Sequence, residues 1–310
     1  MSVWARPRWT RWFVVVLSLV ASALAHATSQ PSPDLSGVLR RAGEVVERYT
    51  QTAAVILADE ECQQRAYRNG AWLAGRGAGD TVVDTIGRRR WKAELALVLI
   101  PELSQSGYPW MEIRDVVEAD GRPLPDRKAR LERMLRTEPE WRTTRAREIL
   151  AESARFNIGP VRRTTNTPAV PLLILHPPNQ ARFAFSKIGE ERIERIAAWK
   201  IAFRETRRPT LIRAGDDGSD MAAAGTLWVD PSTGEVLRSE LQCGASENRL
   251  TVVYRRHPAF GLRLPLEMQE RAAAVKDRSW VEGKCSYSNF RRFETGARVI
   301  IPKQRDGMPR

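Results

Sequence analysis

Apolar residues recur along this chain with two different periods, one typical of helices and one typical of strands. The first segment with steps of three and four residues predicts an amphipathic helix over residues 34–50. A second helical block is predicted over residues 126–157, with a break near Pro139 and Ile149 on its apolar face. These two segments are the long helices that the pattern supplies for covering a sheet.

Alternation with a period of two predicts strands in the rest of the chain. Trp91 to Leu99 and Trp110 to Ala119 alternate in this way, and residues 182–293 contain a long series of such segments separated by turns. The turn from Asp230 to Gly234 places proline and glycine where a hairpin loop with a bulge requires them. Successive strands without helices between them form an antiparallel meander, so the fold class is α+β. No repeat or linker divides residues 28–310, which are predicted to form one domain.

The first 30 residues have the order of a secretory signal. Three arginines precede an apolar run from Phe13 to Leu24, and two cleavage sites with small residues follow, ending at Ala25 and Ala27. The run is shorter than the roughly 20 apolar residues that a membrane-spanning helix needs. We therefore expect residues 1–27 to be removed on export and the mature protein to be periplasmic; a retained membrane anchor is the alternative.

The charge of the chain indicates which classes of binding partner to expect. The formal net charge is +13, but the basic residues are scattered and no nucleic-acid-binding module accompanies them. A nucleic-acid partner is therefore not predicted. A basic surface suits peripheral contact with an anionic membrane surface.

The three cysteines have no spacing typical of a metal site or a disulfide framework. Cys62, Cys243 and Cys285 are therefore interpreted as small buried apolar residues, and no metal or cofactor is predicted. In a plain meander the strands of Cys243 and Cys285 lie three steps apart, about 14 Å, which is too far for a disulfide. These two residues are predicted not to be bonded to each other.

No motif commits the chain to catalysis. The nucleophile, zinc and phosphate-loop patterns are absent from the sequence. His176 and His257 each precede a proline and are interpreted as structural or surface histidines. Glu152 and Arg155 lie three apart on the predicted helix, and Glu148 lies four before Glu152 on the same face, which indicates an exposed ion network, with a buried anion-sensing pair as the alternative. The chain is predicted not to be an enzyme; an exported hydrolase with an unrecognised site is the alternative.

Three segments carry a resemblance to known proteins. The runs ESARFNIG (152–159), WVDPSTGEVLRSEL (228–241) and YSNFRRF (287–293), behind a signal sequence, resemble a family of exported bacterial proteins of uncharacterised activity. More remotely, the leading helix, the long antiparallel sheet and the VDPSTGEV hairpin resemble the outer-membrane lipoprotein carrier and sensor-chaperone superfamily. That resemblance implies a curved half-barrel sheet packed against the N-terminal helix and the mid-chain helical block, with acyl chains held on the concave side.

The resemblance implies a non-catalytic binding protein that carries a lipid, another amphiphile or a lipoprotein, or that binds an envelope protein. Apolar residues of one strand face would line the cavity, and arginines at its rim would meet an anionic headgroup. The candidate ligand-binding residues are Leu241, Val252, Tyr254, Met268, Arg291 and Arg292. Two alternatives remain: the helices seal this face completely, or the protein is a structural adaptor of an envelope complex.

Overall fold

The computed structural model describes residues 34–53, 56–69, 83–99, 108–127, 129–137, 139–159, 163, 166–213, 218–244, 248–274 and 278–293. The predicted signal and its cleavage sites lie outside the described residues. Within them, no helix is long and apolar enough to cross a membrane.

Four helices and eleven strands make up the described fold. The first half contains α1 (Leu35–Ala53), β1 (Ile56–Asn69), β2 (Val83–Leu99), β3 (Trp110–Ala119), β4 (Arg122–Pro123), α2 (Arg130–Arg136) and α3 (Pro139–Ser153). Short 3-10 turns follow at Ala154–Phe156 and Val170–Ile174, then α4 (Pro177–Gln180). The remaining strands are β5 (Phe183–Ile193), β6 (Ile196–Glu205), β7 (Ala223–Val229), β8 (Val236–Cys243), β9 (Arg249–His257), β10 (Leu262–Ala274) and β11 (Ser279–Arg292).

The strands form one open antiparallel sheet with the order β4-β3-β2-β1-β11-β10-β9-β8-β7-β6-β5. This confirms the predicted antiparallel meander over residues 182–293, because β5 to β11 are neighbours in sequence order. The N-terminal strands extend the same sheet, because β1 pairs with β11 along nearly its whole length. The first and last strands of the chain therefore lie side by side in the middle of the sheet.

A disulfide joins these two central strands. Cys62 of β1 faces Cys285 of β11, with 4.1 Å between their Cα atoms, and the two are bonded. The prediction that all three cysteines are simple apolar residues was wrong, because a sequence separation of 223 residues hid the contact between the first and last strands. Cys243 is free and buried on β8, three strands from β11, as predicted.

Helix α1 closes the larger core. Gly37 N donates to Asp34 Oδ1 over 2.9 Å and caps the helix start, and the face of Val38, Val46 and Tyr49 is buried. The helix lies directly on the β7–β8 turn. A Cβ on Gly234, whose φ is +78°, would come within 2.5 Å of the Arg41 backbone, so only glycine allows this approach.

The two faces of the sheet carry separate cores. We call the side that packs against α1 the core face; its cluster includes residues from β1 to β11 and the segment 169–175. We call the other side the helical face, where α2 and α3 pack on a smaller cluster around Leu57, Val98 and Ile113. The expectation that the block around Ile149 covers the same face as α1 was wrong, because β1 to β3 carry apolar residues on both faces and α3 packs on the second one.

Candidate ligand-binding site

The four predicted apolar ligand residues lie together in the core-face cluster. Leu241, Val252, Tyr254 and Met268 are at most 2% exposed. The Tyr254 hydroxyl donates to the carbonyl of Pro168 over 2.8 Å, which fixes the covering segment against β9. These residues line neither of two described cavities, one at the edge of β3 and one among the polar side chains of β1 and β9 to β11. Their neighbours are the side chains of the protein itself.

The predicted arginines do not complete this group. Arg291 is in register with Leu57 of the helical face, and it forms ion pairs with Asp59 (2.7 Å) and Glu94. Arg292 is exposed at the end of β11. The prediction of Arg291 at the rim of the core face was wrong, because a register shift between β1 and β11 changes which residues share a face near this end.

A buried ion pair lies on the core face close to the disulfide. The Glu60 carboxylate accepts hydrogen bonds from Arg114 Nε (2.5 Å), Arg114 Nη2 (2.7 Å) and the Tyr287 hydroxyl (2.8 Å). The Arg114 guanidinium also stacks on the Trp91 ring, 4.7 Å from its centre. Losing one partner of a buried pair typically costs about 3–5 kcal/mol, because the other charge is left without compensation. This group therefore fixes β1, β3 and β11 relative to one another.

A second buried pair lies beside the first. Arg163 Nε is 2.6 Å from Glu270 Oε1, and Arg163 Nη1 donates to the carbonyl of Ile158 over 2.8 Å. Asn166 connects the two pairs, because its side-chain amide donates to Glu270 Oε2 (3.3 Å) and its backbone carbonyl accepts from Arg114 Nη2 (2.9 Å). Burial raises the pKa of Glu270 and lowers the pKa of Arg163. Both groups thus lack the full solvation that their charges require.

Glu112 anchors the segment that covers the core face. Its carboxylate accepts a hydrogen bond from Ala169 N over 2.8 Å, at the start of the 3-10 turn. Burial raises the pKa of Glu112 to about 7. Burial therefore favours the protonated form of this carboxyl.

Glu152 belongs to a structural network on the helical face. It forms ion pairs with Arg127 and Arg130, and both arginines also bind the fully buried Asp115 at 3.2 Å and 2.5 Å. Hydrogen bonds from Arg130 and Arg127 lower the pKa of Glu152. The predicted contact of Glu152 with Arg155 was wrong, because Glu152 pairs instead with Arg130 of α2 and with Arg127, which precedes that helix. The network joins α2 and α3 to β3.

A cavity of about 250 Å³ opens at the free edge of β3, beneath the C-terminal end of α3. Val116 N donates to Ser153 Oγ over 3.4 Å and holds α3 along this edge. We call it the arginine cavity, because three guanidinium groups line it together with amides, hydroxyls and an apolar wall. Its lining residues are Arg114, Arg147, Leu150, Ala151, Ser153, Ala154, Asn157, Arg163, Asn166 and Thr167.

The arginine cavity had only weak sequence signals. The segment ESARFNIG contains three of its residues, but Arg114 and Arg163 lie elsewhere in the chain. An arginine at a buried strand position such as Arg114, between Ile113 and Asp115, is the signal that could have indicated a buried charged group.

The histidines and cysteines are placed in structural surroundings. His176 packs edge-on against Trp110 and burial lowers its pKa, while His257 packs against Phe260. Neither Nδ1 atom has a hydrogen-bond partner among the described residues. Glu60 lies near both bonded cysteines, but it is already bound to Arg114 and Tyr287.

No protein-family model matches the chain, and no curated protein matches it. Three solved structures align with it: a DUF1329 family protein from Desulfovibrio piger, a domain assigned to outer membrane lipoprotein sorting from Vibrio parahaemolyticus, and a LolA superfamily protein from Nitrosomonas europaea. They cover 84%, 83% and 82% of this chain and 95%, 95% and 94% of their own, at 10%, 12% and 12% identity. The TM-scores are 0.30, 0.34 and 0.30. The lipoprotein-carrier superfamily named from the hairpin is thus among the structural neighbours, but a likeness of this size transfers no function.

Proposed function

We propose that this chain is an exported, non-catalytic binding protein of the periplasm that carries a lipid or another amphiphile. The proposal places the acyl chain on the core face, against Leu241, Val252, Tyr254 and Met268. It rests on one observation: among the described residues, the amphipathic helix α1 and the short segment 169–175 cover this large apolar face, instead of a second sheet. A cover of this kind can be exchanged for a ligand.

The free energy lost when the apolar residues of α1 are uncovered is similar in size to the free energy gained when an acyl chain is buried. Val38, Val46 and Tyr49 are the large apolar residues that α1 buries. Each contributes about 1.5–3 kcal/mol, so uncovering them costs roughly 5–9 kcal/mol. An acyl chain gains about 0.8 kcal/mol per buried methylene, so about ten methylenes offset that cost. A fatty-acyl ligand is long enough to displace α1, whereas a small apolar molecule is not.

Among the described residues, side chains of two residues make the hydrogen bonds that hold α1 to the rest of the fold, one to the β7–β8 turn and one from α4. Arg41 donates to the carbonyl of Pro231 from Nε (3.2 Å) and Nη2 (2.8 Å), and Gln180 donates to the carbonyl of Leu39 over 3.0 Å. The Arg41→Ala variant should therefore release the helix more readily. Arg40→Ala is the matched control, because Arg40 is exposed and its ion pair within the described part of the chain is with Glu44 of the same helix.

The test begins with native mass spectrometry of the protein purified from its own periplasm, followed by exchange of a fluorescent fatty acid. We expect bound lipid in the wild type, and faster exchange in Arg41→Ala than in Arg40→Ala. A wild type without lipid, together with equal exchange in the two variants, would refute the carrier. Recovery of a protein at fixed stoichiometry in place of lipid would instead favour the envelope adaptor.

A further inference from the structure

One of the three arginines that line the arginine cavity has no carboxylate partner among the described residues. Glu60 holds the Arg114 guanidinium, and Glu270 pairs with Arg163. Arg147 is exposed on α3 and has no ion-pair partner among the described residues. Within the described part of the chain, the residues that line the cavity include no carboxylate. The cavity therefore attracts an anion.

Part of the Arg163 guanidinium lacks a hydrogen-bond acceptor, although Nη1 donates to the carbonyl of Ile158. The Arg163 side chain is 4% exposed, and Nη2 is buried without a hydrogen-bond partner among the described residues. Its Nε faces Glu270 at 2.6 Å but makes no hydrogen bond of acceptable geometry. A buried guanidinium N–H without an acceptor is costly, and native proteins rarely keep one without a reason. An oxyanion bound beside Arg163, which lines the cavity, would supply the missing acceptor.

The size and lining of the cavity restrict that anion. A volume of about 250 Å³ lies below the range of about 300–1,000 Å³ that drug-sized ligands occupy, so the anion is compact. Arginine recognises phosphate through paired N–H groups, and the Ser153 hydroxyl, which accepts from Val116 N, can donate to a further phosphate oxygen. Leu150 and Ala154 form an apolar wall, which suits the organic part of an ester.

We propose that the arginine cavity is a binding site for a phosphate group, held by Arg163 and Arg147. The phosphate comes either from a phospholipid headgroup or from a small soluble phosphate. This site is separate from the acyl-binding surface proposed above, because the four apolar residues there do not line the cavity. Failure of one proposal therefore leaves the other standing.

The test is calorimetric titration of the mature protein with inorganic phosphate and with glycerol phosphate, beside flotation with vesicles of phosphatidylglycerol or phosphatidylcholine. Saturable binding of a soluble phosphate supports that source. Binding to phosphatidylglycerol vesicles alone supports a headgroup. Arg147→Ala should weaken whichever binding is found by about tenfold, the size of one charge-assisted hydrogen bond.

Arg145→Ala is the control, because Arg145 is exposed on the same helix but pairs with Glu148 and does not line the cavity. It should bind like the wild type. The double variant Arg163→Gln/Glu270→Gln removes the buried pair without leaving a lone charge, and it should lose binding while staying folded by circular dichroism. No binding of any phosphate probe, or equal losses in Arg147→Ala and Arg145→Ala, would overturn the proposal.

Discussion

The bond between Cys62 and Cys285 should contribute a large part of the stability of the fold. It joins residues 223 positions apart and so closes a loop that contains most of the described chain. Reduction opens this loop and increases the conformational entropy of the unfolded chain. The chain-entropy relation gives about 5 kcal/mol for a loop of this length. That is comparable with the entire stability of many domains, about 5–15 kcal/mol. Reduction should therefore shift urea unfolding strongly, although the β1–β11 hydrogen bonds remain.

Two measurements check this. Thiol labelling of the denatured protein without reductant should find one thiol, Cys243, and labelling after reduction should find three. Urea unfolding, followed by tryptophan fluorescence, should then be measured for the oxidised wild type and for wild type refolded in reductant. The reduced protein lacks the bond but keeps both sulfur atoms. Cys243→Ala serves as the packing control, because it removes a buried sulfur without removing a cross-link. Three reactive thiols before reduction, or a difference below about 1 kcal/mol between the oxidised and reduced proteins, would contradict the reasoning.

Further predictions concern the cover, the core and export. Burial raises the pKa of Glu112 to about 7, so the stability that this carboxyl contributes should be complete below about pH 4.5 and be lost as the pH rises through 7, by about 3 kcal/mol. Glu112→Gln should reduce this dependence of the unfolding free energy on pH, measured by unfolding curves recorded from pH 4.5 to 8. An unchanged dependence would contradict the assignment. Val252→Trp should block fatty-acid uptake while the protein stays folded if the core face receives a ligand; a fall of about 1–3 kcal/mol in unfolding free energy, with no lipid extracted from the wild type, would indicate a permanently sealed core. N-terminal sequencing of the exported protein should begin after Ala25 or Ala27, and retention of the apolar run would instead show a membrane anchor.

The local elements follow from the sequence, because they depend on near neighbours. Helix α1 was predicted over residues 34–50 and spans Leu35–Ala53, since its apolar period and its Asp34 cap are both local. The Asp230 to Gly234 turn has the expected positive φ at Gly234. The meander of the C-terminal half follows from the even spacing of strands without helices. The burial of Leu241, Val252, Tyr254 and Met268 on one face follows from their shared parity.

Only the tertiary structure decided which distant segments meet. The pairing of β1 with β11 brings Cys62 to Cys285 and Glu60 to Tyr287, and no local pattern encodes such a contact because strand pairing depends on the whole sheet. The same holds for the arginine cavity, where α3, β3 and residue 163 come together at one sheet edge. The face of Arg291 was mispredicted because one register shift changes the face of the residues beyond it. Periodicity indicates that a residue is buried, whereas its partner depends on sheet order, register and the edge that a helix covers.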